Sequence, residues 1–348
     1  MALPSRRKFV ILGFISIGSL NAQEVFTNPV GFVRLGNTTA GEPAVQADTD
    51  VYLTIPLERK LEAAGTVGSV TADSITLENS PSWANDQWLA PSDGGAPYFV
   101  TVSSGTENGL RALITGNDSD TLTVEPLTPG DLSNVSVGDA LEVRKFWTLG
   151  SFFASSNLPN GTEVFLYDET EVGVNQSPEV IYIFGNGNWF VNGGEFEPSN
   201  DVLLHSGETF VLRSSSSEIQ SLVTFGDVAT SNLRVTIQKD APTEDEDLFV
   251  ASMSPVPVLV SDSGLPVQNG DELFQYVSSS TSGTNPSPSI IYIFGNGQWF
   301  INGGLDTAQE NLFTNVTSTL TFDPGAGYIL RRSASSPTFA EWTQLAPY

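Results

Sequence analysis

The chain offers few side chains able to do chemistry beyond acid and aromatic contact. It has one histidine, His205, and no cysteine in 348 residues. Thiol chemistry and disulfides are therefore excluded, and a zinc site built on several histidines cannot be assembled. A Ser-His-Asp device would have to use His205. That residue lies in Leu203-Leu-His-Ser-Gly207, no Gly-x-Ser-x-Gly elbow accompanies it, and the matching stretch at 318–325 has no histidine. It reads as a polar turn residue. Carboxylates are plentiful, and two of them flanking a bond can hydrolyse a glycoside. Glu195 and Glu197 are the pair to consider, but the corresponding stretch further on offers only Asp306. The chain reads as non-enzymatic.

Two other chemistries fit the residue types. Hard oxygen ligands suit calcium, so Asp118 and Asp120 in one tight turn, and Glu244, Asp245 and Asp247 in an acidic run, are candidate ligands and calcium a candidate cofactor. Neither an EF-hand loop nor a glycine-rich nonapeptide repeat supports them, and solvated acidic loops are the simpler reading. Flat aromatic rings can stack on sugars. Trp83 and Trp88, in a Ser-, Pro- and Gly-rich stretch, are expected to be exposed, and Trp189 and Trp299 are further ligand-binding candidates whose simpler reading is core.

The elements that would position these groups are strands. Val180-Ile-Tyr-Ile-Phe-Gly-Asn-Gly-Asn-Trp-Phe-Val-Asn-Gly-Gly194 and Ile290-Ile-Tyr-Ile-Phe-Gly-Asn-Gly-Gln-Trp-Phe-Ile-Asn-Gly-Gly304 match at 12 of 15 positions, which implies an internal duplication. Each reads as a β-hairpin about a Gly-Asn-Gly turn. The flanks match too: Gly161-Thr-Glu-Val-Phe165 and Gly270-Asp-Glu-Leu-Phe274 precede the hairpins, and Gly207–Arg213 and Gly325–Arg331 follow them. Gly138–Arg144 repeats that last pattern more loosely. Frequent Gly and Pro, with short punctuated apolar runs, predict an all-β chain. The expected divisions are a signal peptide at 1–22, an N-terminal β domain at 23–150, β-sandwich-like or barrel-like repeat units at 151–240 and 248–348, and an acidic linker at 241–247.

Residues 1–22 have a basic start, an apolar run and a cleavage point after Ala22, as an export signal does. Ser5-Arg6-Arg7-Lys8-Phe9 is similar to a twin-arginine motif. Removing Arg6, Arg7 and Lys8 leaves 11 cations against 40 acids, 11 − 40 = −29. Such a charge repels phosphate backbones and anionic membranes, so no nucleic-acid partner is expected. No later apolar run is long enough to span a bilayer, and the strand runs are too two-sided for a lipid-facing barrel.

Asn28-Pro-Val-Gly-Phe32, Val102–Leu110, Gly138–Arg144 leading to Trp147-Thr-Leu-Gly150, and the Trp hairpins resemble an uncharacterised family of secreted, paralogous proteins of verrucomicrobium-like bacteria. The resemblance implies export but carries no activity. The expectation is a structural or adhesive protein of the periplasm, cell surface or exterior. Its partners would be itself or other surface proteins through strand addition. A carbohydrate-binding protein with a polysaccharide partner is the alternative.

Overall fold

Short alternating runs bounded by Asn, Asp and Gly leave little room for helix, and the regular structure of the described residues is almost entirely strand. The computed structural model describes residues 29–90, 95–168, 170–277 and 283–347, so the expected signal peptide lies outside the described residues. In chain order, β1 (Val30–Arg34) and β2 (Asp50–Leu53) come first. Six strands then form one closed barrel: β3 (Leu61–Val70), β4 (Ser74–Leu77), β5 (Tyr98–Val102), β6 (Arg111–Asn117), β7 (Thr121–Pro126) and β8 (Ala140–Lys145). After the barrel come β9 (Trp147–Thr148), the single-turn helix α1 (Leu149–Phe152), β10 (Glu163–Leu166), β11 (Val180–Gly185), β12 (Asn188–Val191), β13 (Leu203–Leu204), β14 (Phe210–Arg213) and β15 (Val223–Asp227).

These last strands pair with the first two. The antiparallel sheet β12-β11-β10-β14-β2 is accompanied by the ribbons β1-β15 and β9-β13, and all of them feed one apolar core. The first lobe is therefore built from 30–57 and 147–228, with the barrel inserted between β2 and β9. The expected N-terminal domain at 23–150 is corrected accordingly. Its first two strands complete a later unit because Asp50–Leu53 pairs with Phe210–Arg213.

The second lobe uses β16 (Leu233–Gln238), β17 (Glu246–Ala251), β18 (Val258–Leu259), β19 (Glu272–Gln275), β20 (Ile290–Gly295), β21 (Gln298–Gly303), β22 (Thr321–Phe322), β23 (Gly327–Arg332) and β24 (Phe339–Gln344). Its sheet runs β21-β20-β19-β23-β17, with ribbons β16-β24 and β18-β22. Each of its nine strands has a counterpart in the first lobe, in the same order and pairing. The unit boundary expected at 240 moves back ahead of β16, since Leu233 pairs with Gln344. The acidic linker is corrected as well: Glu246 and Asp247 open β17 and are buried.

The hairpins are as the sequence reads, with Asn186-Gly187 and Asn296-Gly297 both at positive φ (51° and 83°, 52° and 77°). Positive φ at both central positions is the type I′ turn, whose twist matches the flanking strands. Tyr182 and Tyr292 turn inward with Trp189 and Trp299, which are 1% and 2% exposed. Each indole lies 5.2 Å from the Phe of its own hairpin, Phe184 or Phe294.

The two lobes hold each other reciprocally. Asp50 binds Arg213 through Nε at 2.6 Å and Nη2 at 2.8 Å, and Asp247 binds Arg331 at 2.7 and 2.9 Å. Each carboxylate also accepts an amide from the opposite lobe at 2.7 Å: Asn285 N–H to Asp50 and Asn175 N–H to Asp247. Backbone N–H groups return the contact, Asp50 to Gly283 O and Asp247 to Gly173 O. Tyr52 stacks on Tyr276 and Tyr167 on Phe249, both at 3.8 Å. Residue i of one lobe meeting j of the other, and j meeting i, is the pattern of an isologous two-fold contact. At its centre Gly327 faces Thr209, where a Cβ would stand 2.2 Å from the threonine methyl.

The barrel is fixed to both lobes. Buried Arg144 of β8 donates to Asp227 of β15 at 2.8 Å and meets Glu58 at 3.0 Å, while Arg111 also binds Glu58. On the other side Arg234 of β16 reaches Glu107 at 2.8 Å and the Thr106 carbonyl at 2.6 Å.

Trp189→Ala and Trp299→Ala each remove a large indole from a closed core and should cost about 3–5 kcal/mol by chemical denaturation. An unchanged midpoint would show the ring to be dispensable. Asp50→Asn and Asp247→Asn strip the charge from equivalent buried pairs, and each should cost about 2–4 kcal/mol. Unequal losses of several kcal/mol would contradict the reciprocity of the contact.

Candidate functional site

The residues singled out in the sequence do not converge. Trp88 is 6% exposed and belongs to the barrel core, so its expected exposure is corrected: the loop folds inward, with the Trp88 amide held by Asn117 Oδ1 at 2.9 Å. Trp83 is half-buried, packed edge-on against Trp88 at 5.5 Å, and is the only one of the four indoles with appreciable open surface. Trp189 and Trp299 are core, so their faces are not offered to a ligand. Residues 91–94 of the same loop lie outside the described residues.

The acidic candidates are used locally. Asp118 Oδ1 accepts the Asp120 and Thr121 amides at 3.0 and 2.9 Å, and these bonds hold its carboxyl below the usual range. Asp120 accepts from Ser80 Oγ at 3.0 Å. Asp245 accepts the Ala334 amide at 2.8 Å, and Asp247 is engaged by Arg331 and Asn175. Glu246, next to them, caps the Asp240 and Ala241 amides at 3.1 and 2.8 Å. Glu244 is exposed. Among the described residues no three His, Cys, Asp or Glu side chains group as metal ligands would. Glu195 and Glu197 are exposed beyond the first hairpin.

The lobe contact instead creates two equivalent clefts. One, of about 440 Å³, is bounded by Tyr167 after β10, the β13–β14 connection, β16 and β17. The other, of about 940 Å³, is bounded by Tyr276 after β19, the β22–β23 connection, β1 and β2. Both volumes fall in the range of ligand sites. Their aromatic walls are the Tyr167–Phe249 and Tyr52–Tyr276 stacks, so the same contact that joins the lobes furnishes the cleft walls. Beyond these walls the polar residues differ. The smaller cleft has His205, edge-on to Phe146 at 5.4 Å, together with Glu179 and Glu208. The larger has Arg34, whose guanidinium donates to the Glu42 carbonyl at 2.7 Å, with Pro255 and Pro257 opposite.

Sequence reasoning missed these tyrosines. The signal was present in Glu163-Val-Phe165-Leu-Tyr167 and Glu272-Leu-Phe274-Gln-Tyr276, two residues beyond the matching flanks. Within this motif the Phe carries the lobe's own Arg over its ring, Arg213 at 4.5 Å and Arg331 at 4.6 Å, and the Tyr reaches across to the other lobe. Burial pushes the Tyr276 phenol up to about 12, and burial with neighbouring Tyr276 pushes Tyr52 upward too.

The chain matches no protein-family model, no curated protein and no solved structure.

The stacked phenols give the lobe contact an alkaline limit. A phenol that ionises near 10 in the unfolded chain and about 12 in the folded one contributes stability that is complete below pH 10 and lost as the pH climbs toward 12. Melting temperature should therefore fall steeply across that window, and Tyr276→Phe should flatten part of the fall. A slope untouched by the substitution would place the alkaline sensitivity elsewhere.

Proposed function

We propose that the protein is an exported, non-enzymatic structural or adhesive component of the cell exterior, formed by duplication of one β unit and insertion of a barrel into the first copy. The observation that carries this reading is the reciprocal lobe contact. Asp50, Asp247, Tyr52, Tyr167 and Tyr276 are committed to fixing two similar bodies face to face, and Arg144 and Arg234 fix the barrel between them. A molecule whose ionic and aromatic groups hold three β bodies at set spacing is suited to presenting surfaces.

Several features of the sequence agree with it. The basic and apolar start at 1–22 suits export, and the absence of cysteine leaves stability to packing. The net charge of −29 left after the leader is removed keeps such a surface well hydrated. No helix among the described residues is long and apolar enough to cross a membrane. The resemblance to secreted verrucomicrobium-type proteins points the same way.

The second reading, carbohydrate binding, is favoured by one observation: the clefts have tyrosine walls of the kind on which sugar rings stack. It now rests on Tyr276 and on half-buried Trp83, not on the hairpin indoles.

Surface labelling of intact host cells, together with a deletion strain, tests the main reading. The protein should be labelled outside the cell, and the deletion should weaken cell–cell or cell–surface attachment while secreted hydrolase activities stay unchanged. Recovery only in the cytoplasm, or loss of a hydrolytic activity on deletion, would overturn it. Retention on a glycan array that is lost on Trp83→Ala, or on Tyr276→Ala with the melting temperature unchanged, would establish the second reading in its place.

A further inference from the structure

We propose that the outer edge of β1, together with the larger interlobe cleft, is a docking site for an extended, cationic polypeptide segment that adds as a strand. The inference rests on the structural or adhesive reading above and names the partner such a protein would take.

Sheet edges attract added strands unless they are covered, and the outer strands of both five-stranded sheets are covered. The barrel is closed. In the first lobe, β12 is covered by Ser199 N–H to Trp189 O at 2.7 Å, and β2 by Thr54 N–H to Gly325 O at 3.1 Å. In the second lobe, β21 is covered at Ile301 by Thr314 O and Phe313 N–H at 3.0 and 2.7 Å, and β17 by Gly173 O.

β1 differs. Leu35 N–H donates to Leu222 O and Val228 N–H to Pro29 O, so the peptide groups of Leu35, Val33, Gly31 and Pro29 point toward β15. The alternation of an antiparallel ladder then directs those of Val30, Phe32 and Arg34 outward, where among the described residues they have no backbone partner. Around this edge stand exposed apolar groups: Val30 is 75% exposed, Phe32 73% and Phe225 57%, with the two phenyl rings 6.4 Å apart. Phe32 and Arg34 also line the 940 Å³ cleft, facing Tyr276 and the two prolines.

The counterpart strand, β16, also has outward peptide groups without a backbone partner among the described residues, but its side chains and neighbours differ. β16 borders the smaller cleft, and its outward Arg234 is taken by Glu107, Thr106 and Asn108 of the inserted barrel. The second lobe carries no insertion, so no barrel stands over β1. The matching positions on β16 are Arg234, Thr236 and Gln238, whereas on β1 they are Val30, Phe32 and Arg34, two of them apolar. An apolar strip beside free backbone donors and acceptors fits an extended peptide with apolar residues at alternate positions. The exported chain's net charge of −29, with Glu42 and Asp323 beside Arg34 on the cleft lining, favours basic residues between them.

The test uses the exported chain and a fluorescein-labelled heptapeptide of alternating valine and lysine, followed by anisotropy and by amide hydrogen exchange. Binding should saturate, the Phe32 and Arg34 amides should exchange more slowly, and the valine–glutamate analogue should bind at least tenfold more weakly. Phe32→Pro removes an outward N–H while leaving the bonds to β15, which its neighbours make, and should weaken binding at least tenfold. Thr236→Pro on β16 should not. Absence of saturable binding, equal affinity in Phe32→Pro, or binding that protects no β1 amide would overturn the proposal, as would retention of a polysaccharide that the peptide does not displace. If Phe32→Pro does not fold, the exchange result on the native chain decides. An externally labelled, attachment-promoting protein whose β1 amides stay unprotected would sink this inference and leave the functional reading standing. Purely cytoplasmic recovery would sink that reading whatever the peptide does.

Discussion

The structure depends on how each lobe satisfies the open side of its five-stranded sheet. β2 and β17 would otherwise present unpaired peptide groups to water and to other chains. Each is covered by a turn of the opposite lobe, and one carboxylate organises each cover. Asp50 holds the guanidinium of Arg213 on the neighbouring strand and the amide of Asn285 from across the contact, so sheet register and lobe docking share a single anion. Asp247 does the same with Arg331 and Asn175. The charge-assisted bonds are shorter and stronger than neutral ones, and the aromatic stacks beside them exclude water from both sites.

The inserted barrel makes the pair of lobes asymmetric. Its core is separate from theirs, and it meets them through buried ions and through a small apolar cluster in which Phe99 and Phe146 pack with Leu203. Arg144 satisfies Asp227 and Glu58 in a region where either carboxylate alone would be costly to bury. The same insertion takes up the outward Arg234 side chain of β16 and has no equivalent beside its counterpart β1 among the described residues. The two clefts, 440 and 940 Å³, are both lined by the lobes themselves, with no barrel residue on either wall among the described residues.

The parts of this arrangement legible in the sequence were the local ones. Asn-Gly between aromatic β-branched runs specifies its own turn, and the tryptophans at a fixed offset specify an inward face. What was not legible depended on distance. Nothing local to Asp50–Leu53 says that it pairs with residues some 160 positions away, and its nearness to the barrel strands suggested the wrong companion. The acidic run before β17 reads as a solvated linker by composition alone. Glu246 and Asp247 are buried because partners from other strands reach them, and those partners are invisible in a window of ten residues. Trp88 was misjudged for the same reason: Ser, Pro and Gly around it signal a loop, but not one that folds back over a barrel end.

One feature of the insertion bears on how the chain reaches its native state. Leu61 opens the barrel opposite Arg144, which closes it, so the two ends of an excursion of about eighty residues emerge side by side. While the barrel is unformed, joining Asp50 to Arg213 means closing a loop of 163 residues, and such non-local pairing is slow. Once the barrel has formed from its own contiguous strands, that excursion spans only an inter-strand distance, and the remaining search is that of a much shorter chain. The order of synthesis then matches the order of assembly. The barrel is complete before β14 exists to receive β2, and the second lobe, continuous in sequence, arrives last, bringing the turn that covers β2.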